Sequence, residues 1–244
     1  MLPEPAPNTE HPGDLVSIVL PVHNQAAHIA DILLGHCTAL DRLQRPYELV
    51  VVTNACTDNS AEVVARVAES HPGIRLVDMT AGGWGRAVRE GLSHANGASL
   101  GYANSARTTP EMLALILLYE QAYPHVVVKA NRRIRDRFHR RLGSLFYNLE
   151  CRALFDLATW DINGTPKLFP REFGALLALD RNDDLIDLEF MVRCRTESYP
   201  VIEVPLLETV RHGGRSTTNY RSAVRLYLGA LELRKKLQTA PKGA

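Results

Sequence analysis

Two short, almost uninterrupted apolar runs rich in β-branched residues, Leu15–Val22 (LVSIVLPV) and Tyr47–Thr53 (YELVVVT), constrain this chain most. Strands that are apolar on both faces belong in the middle of a parallel sheet covered by helices on either side. Between the two runs Ile29, Ile32, Leu33 and Cys37 recur at helical spacing. After the second, Asn59 and Glu62 are expected to act as a capping pair for a helix through Val63, Val64 and Val67. The alternation continues with strands near Ile74–Val77, Ser99–Asn104 and Val126–Lys129, and with helices near Gly85–His94 and from Pro110. Repeated βα units predict an α/β fold with a single open, mainly parallel, twisted sheet flanked by helices. Ligands gather beyond the carboxyl ends of such strands, which here means Val22–Gln25, Thr53–Thr57 and Ala103–Thr108.

The second half is less regular. A basic helix is expected after Arg132, then a short strand around Lys167–Phe169, a helix through Asp187–Cys194, a strand at Val201–Val204 and an amphipathic terminal helix. Met1–Gly13, with four prolines and no apolar period, reads as a flexible leader, and residues 14–240 read as one domain. A chain of 244 residues with 45% hydrophobic content can bury a single sizeable core. Its 28 basic against 27 acidic residues create no global field for nucleic acid or an anionic surface. Cys37, Cys56, Cys151 and Cys194 are far apart, which argues against a zinc site and for a reduced, cytoplasmic setting. No run approaches the roughly 18 to 20 apolar residues that cross a bilayer, so membrane contact would be peripheral, at the inner membrane surface.

A series of short blocks then acquires meaning from its order. It runs VSIVLPVHN (Val16–Asn24), ACTDNS (Ala55–Ser60), GWGRAVREG (Gly83–Gly91), Thr109-Pro110-Glu111, RRLGSLFYN (Arg140–Asn148), DINGTPKLFPRE (Asp161–Glu172), DLEF (Asp187–Phe190) and HGGRS (His212–Ser216). In sequence and spacing these blocks resemble family 2 glycosyltransferases, particularly the dolichyl-phosphate glucosyl- and mannosyltransferase branch. The resemblance implies the GT-A nucleotide-diphospho-sugar transferase fold. It also implies transfer of a sugar, with inversion in a single displacement, from a UDP- or GDP-linked donor to a hydroxyl or polyprenyl-phosphate acceptor. Function must still be argued from the site.

The family pattern assigns expectations residue by residue. Pro21 would line the nucleotide pocket through its backbone, and Asn54 would offer its amide to the base or ribose where relatives place acidic residues. Asp58 reads as an Asx turn and helix cap. The metal-binding Asp-x-Asp motif is degenerate: one register puts Ala103 and Ser105 at the acidic positions, the other Asn104 and Ala106. Neither supplies a carboxylate, so Mg²⁺ or Mn²⁺ would be held weakly. His212 resembles a histidine that completes the metal shell in some relatives, although a lone histidine is more often structural. The lysine of the family's glycine turn is replaced by Trp84. Arg86, Arg89, Arg107, Lys167 and Arg215 are candidates to neutralise the diphosphate in place of a metal. Arg107 reads equally well as a solvated loop arginine, and Arg89 better as a helix-surface residue.

On the acceptor side, Asp187 is the expected base for a hydroxyl nucleophile, with Glu189 and Asp161 as further contacts. Asp183 and Asp184 read as helix N-terminal charge. A lipid-phosphate acceptor, already anionic, would need no base. The basic stretch from Lys129 to Arg141 could face an anionic lipid surface or plain solvent, with Leu142, Leu145, Phe146, Leu149 and Leu154 following as a potential buried stripe. Few aromatics interleave with these arginines, which disfavours nucleic acid. Two rivals remain: a catalytically silent descendant that keeps the pocket for nucleotide or partner binding, and a nucleotidyltransferase, whose glycine-rich, lysine-containing signature is absent after the first strand.

Overall fold

The computed structural model describes residues 14–134, 138–207 and 220–239. The proline-rich stretch 1–13 and the HGGRS block, with His212 and Arg215, lie outside them. The elements in chain order are β1 (Val16–Val22), α1 (Ile29–Asp41), β2 (Tyr47–Asn54), α2 (Ser60–Ser70), β3 (Ile74–Met79), α3 (Trp84–His94), β4 (Ser99–Tyr102), α4 (Pro110–Ala122), β5 (Val127–Ile134), α5 (Phe138–Phe155), β6 (Lys167–Pro170), α6 (Ile186–Thr196), β7 (Val201–Leu207) and α7 (Tyr220–Thr239). They build one seven-stranded sheet in the order β3-β2-β1-β4-β6-β5-β7. The expected mainly parallel sheet is present: β1 pairs in parallel with β2 and β4, β2 with β3, and β5 with β7. The exception is β6, antiparallel to both β4 and β5.

Every residue of β1 is buried, and its side chains alternate between two cores. Ile18 and Leu20 join Leu33, Leu49, Val51 and Ile116 on one face. Val19 joins Val50, Val52, Val88 and Phe190 on the other. A strand covered on both sides cannot alternate polar and apolar, which is why β1 and β2 are legible as continuous apolar runs. Gly91 of α3 marks the tightest packing against the sheet, since a Cβ there would collide with the Val19 side chain and touch Val52.

Two helix starts differ in how they are capped. At α4, Thr109 Oγ1 accepts from Met112 N at 3.2 Å and Pro110 opens the helix, an arrangement set by the local sequence. At α2 the anticipated Asn59–Glu62 pair does not form, and Asn59 makes no side-chain cap. Asp58 takes over, accepting from Ser60 N at 3.1 Å and from Ala26 N at 3.0 Å. One carboxylate thereby caps α2 and ties the loop after β1 to the loop after β2.

Of the stripe expected to be buried on α5, Leu145, Phe146 and Leu149 are instead turned outward, while Leu154 is partly buried against the core. Phe146 is 57% exposed and Leu145 and Leu149 nearly as much, whereas Tyr147 and Cys151 face the core. The inward side of α5 packs on α7 through Tyr147 and Tyr227, an edge-to-face pair with ring centroids 6.4 Å apart. Exposed Leu228 and Leu231 lie on α7. Among the described residues no helix is long and apolar enough to cross a membrane.

Candidate active site

The strand order reverses its direction of growth at β1, with β2 on one side and β4 on the other. A crevice at the carboxyl ends of these three strands is the place where such a sheet binds ligands. Short polar side chains stitch this edge together. Asn24 Oδ1 accepts from Thr57 N at 2.8 Å, Gln25 N donates to Ser60 Oγ at 2.9 Å, and Gln25 Nε2 donates to Ser105 Oγ at 2.9 Å. Ser105 Oγ in turn donates to the Pro21 carbonyl at 2.7 Å. The Pro21 oxygen thus serves an internal bond.

Asn54, expected to face a nucleobase, is buried, and its amide works inside the protein. Nδ2 donates to the Val22 carbonyl at 2.8 Å, and Oδ1 accepts from Gly83 N at 3.3 Å. Gly83 carries φ of 138°, a conformation open to glycine, and a Cβ there would press on the Asn182 carbonyl. Asn54 therefore holds the start of α3 against the end of β1. Asp58 is exposed; partial burial raises its pKa, but hydrogen bonds from Ser60 and Ala26 outweigh that and hold it below the usual value.

The residues in place of Asp-x-Asp do not fit an acid-held divalent ion. Ala103 and Ala106 offer no ligand, Ser105 is engaged as described, and Asn104 Oδ1 accepts from Ala106 N at 3.1 Å. Gln25 Oε1 and Thr108 Oγ1 are buried here without a hydrogen-bond partner, but both are neutral, which suits ordered water better than a doubly charged ion. Among the described residues no three histidine, cysteine or acidic side chains cluster as a metal site would require.

Asp187 lies at the start of α6, 4% exposed, at the hub of a polar cluster inside an aromatic core. Its Oδ1 accepts from Tyr102 Oη at 2.8 Å and forms an ion pair with Lys167 Nζ. Its Oδ2 accepts from Trp84 Nε1 at 3.1 Å. Lys167, expected at the diphosphate, instead has no exposed surface and sits 5.4 Å from the Tyr102 ring and 5.8 Å from Phe190. Burial pushes its pKa down to about 8, with Asp187 pulling in the opposite direction. The Tyr102 phenol is held well above its ordinary range, first by burial and then by the Asp187 charge.

The other acidic candidates are similarly committed. Asp161 grips Arg132: Oδ2 accepts from its backbone N at 2.9 Å and Nε at 2.7 Å, and Oδ1 from Nη2 at 2.8 Å. Glu189 accepts the backbone N–H groups of Asp180 and Arg181, at 3.0 and 2.9 Å through Oε2. It fastens the loop before α6 instead of facing an acceptor. Asp183 pairs with Arg181 and accepts from Leu185 N at 3.2 Å, short of a free helix-end charge. Arg89 donates to Asp180 O and Asn182 Oδ1, bracing the same loop, while Arg86 is exposed and Arg107 half-buried at the crevice edge.

Of the partners of Asp187, the sequence points to Lys167 and Trp84 for other reasons and pairs neither with Asp187, while Tyr102 is not singled out at all. One signal was available: Lys129 and Lys167 each interrupt an apolar strand, and a lysine buried there demands a carboxylate.

The family model described as glycosyl transferase family 2 matches residues 17–173. An undecaprenyl-phosphate 4-deoxy-4-formamido-L-arabinose transferase of Sodalis glossinidius (strain morsitans) is 26% identical over 87% of this chain. The chain spans 65% of that relative's length. Glucosyl-3-phosphoglycerate synthase from Mycobacterium tuberculosis, solved with Mn²⁺, uridine diphosphate and phosphoglyceric acid, superimposes with a TM-score of 0.71 at 19% identity, covering 91% of this chain and 78% of its own. A mannosyltransferase from Pyrobaculum calidifontis, in complex with GDP-mannose and Mn²⁺, gives 0.60 at 21% identity, covering 94% and 65%. The fold is that of the GT-A transferases, and with a family model matching residues 17–173 of its 244, this chain belongs to glycosyl transferase family 2.

Proposed function

We propose that the protein is an inverting glycosyltransferase that moves a sugar from a nucleotide-diphosphate donor to a polyprenyl-phosphate acceptor. The observation that carries this reading is the state of Asp187. A hydroxyl nucleophile needs a carboxylate free to take its proton. Asp187 is paired with Lys167 and hydrogen-bonded by Tyr102 and Trp84, so both of its oxygens are already engaged within the protein. A lipid-phosphate oxygen is anionic already and attacks without a base.

Two further features support the lipid acceptor. The apolar residues exposed on α5 and α7 suit the interface of a bilayer, as does the basic sequence leading into α5. The 26% identical relative is named for transfer involving undecaprenyl phosphate. With no carboxylate at residues 103–106, Arg86 and Arg107 would neutralise the departing diphosphate, and donor binding would depend weakly or not at all on Mg²⁺ or Mn²⁺; Arg215, a further candidate from the sequence, lies outside the described residues. A guanidinium can hold two phosphate oxygens at once, which is the binding task a bridging ion otherwise performs.

The test is formation of a lipid-linked sugar from labelled UDP- and GDP-sugars with polyprenyl phosphate in vesicles, run beside hydroxyl acceptors. Transfer to hydroxyl acceptors alone would overturn the lipid assignment. The second reading, a catalytically silent nucleotide- or partner-binding protein, is favoured by the internal commitment of Asn54, Ser105 and Lys167. Binding of nucleotide sugars with neither transfer nor hydrolysis would select it.

A further inference from the structure

The two oxygens of Asp187 are held unequally. Oδ1 has a charged partner, Lys167, and a second donor, Tyr102, and both side chains are wholly buried. Oδ2 accepts from the neutral indole N–H of Trp84 at 3.1 Å, and Trp84 is half-buried. Trp84 is the first residue of α3, its backbone start held by Gly83 N on Asn54 Oδ1, at the carboxyl edge of the sheet. Its ring meets Tyr102 edge-on with centroids 6.2 Å apart, so it packs on the cluster while staying half-buried itself. A carboxylate oxygen has room for a second donor, and a neutral hydrogen bond to a partly exposed donor exchanges more readily than a buried ion pair.

We propose that Trp84 is a positioning residue for the donor sugar: its indole N–H holds Oδ2 of Asp187 in place until a hydroxyl of the sugar displaces it. The ion pair with Lys167 keeps the carboxylate oriented throughout, so only the bond to Trp84 changes hands. A nucleoside diphosphate keeps its ribose hydroxyls but lacks those of the transferred sugar, so it has no group at the sugar's position to make this exchange. Trp84 thereby couples recognition of the sugar, separately from the nucleotide, to the start of α3. This rests on the transferase reading above and adds to it the atom that recognises the sugar.

The protein contains two tryptophans, Trp84 and Trp160, so Trp160→Phe leaves Trp84 as the sole indole emitter. In that background, UDP- and GDP-sugars and the corresponding diphosphates are titrated while emission is followed, with binding measured in parallel by calorimetry. The sugar nucleotide is expected to shift Trp84 emission and the diphosphate to leave it unchanged. Trp84→Phe, which keeps the ring but removes the N–H, should tighten sugar-nucleotide binding about five- to tenfold, the worth of one neutral hydrogen bond no longer in competition, and leave diphosphate binding unaltered. Asp187→Asn should erase the difference between the two ligands. Sugar-nucleotide binding with no emission change, or equal effects of Trp84→Phe on both ligands, overturns the role of Trp84 alone. If calorimetry detects neither ligand, the transferase reading falls and this inference with it.

Discussion

Lys129 and Lys167 stand opposite each other across the antiparallel β5–β6 pair, both without exposed side-chain surface, and each turns to a different carboxylate. Lys129 Nζ reaches Glu203 Oε1 at 2.8 Å and the carbonyl oxygens of Trp160 and Asp161 at 2.7 and 3.0 Å. Lys167 takes Asp187. Two neighbouring cations are tolerable inside a sheet because each is neutralised separately, one toward β7 and one toward α6.

Removing one member of such a pair leaves the other buried and uncompensated. Lys167→Met should lower the unfolding free energy by about 3–5 kcal/mol, and Lys167→Met combined with Asp187→Leu should recover most of that loss. Urea unfolding followed by circular dichroism measures both. A single variant within about 1 kcal/mol of the parent would show that water reaches the pair.

The depressed pKa of Lys167 makes stability depend on pH in a defined window. Below about 8 the lysine is protonated in both states. Between about 8 and its ordinary 10.5, the unfolded chain keeps a proton that the folded protein releases, so this group's contribution to stability rises with pH. Above the ordinary value of 10.0 for tyrosine, Tyr102 acts oppositely, because the folded protein retains a proton that the unfolded chain loses. Comparing the parent with the Lys167→Met/Asp187→Leu pair from pH 7.5 to 9.5 should show the parent gaining roughly 2 kcal/mol relative to the variant. A flat difference across that range would contradict the assignment.

Gly91 tests the contact between α3 and the sheet. Gly91→Ala places a methyl group against the stiff, branched Val19 side chain, and α3 must shift to admit it. A loss of about 1–3 kcal/mol is expected, against the slight gain that alanine brings to an unobstructed helix position. Combining it with Val19→Ala should restore part of the loss, and thermal unfolding of the three variants decides it.

Chelation addresses the degenerate metal motif. With Ala103, Asn104, Ser105 and Ala106 at the relevant positions, EDTA should leave calorimetric affinity for the sugar nucleotide unchanged. Arg107→Ala should weaken binding, since it removes a cation from the crevice edge. A collapse of affinity on chelation would return the metal to the site.

The apolar runs of β1 and β2 and the helical spacing of α1 determine a sheet covered on both faces, because a strand buried on each side leaves no polar position in the pattern. The family blocks likewise carry the GT-A order of elements and mark Asp187 and Trp84 as positions of interest. What Asp187 does was decided only in three dimensions. Its donors come from positions 84, 102 and 167, on α3, β4 and β6, and no local period relates them. The same holds for Asn54 and Asp58, whose polar groups are spent on neighbouring loops, and for α5, where Leu145, Phe146 and Leu149 face outward while Tyr147 and Cys151 occupy the core. Periodicity reports which side chains can share a face. Which polar groups are consumed within the protein depends on contacts distant in sequence, and those exist only once the chain has folded.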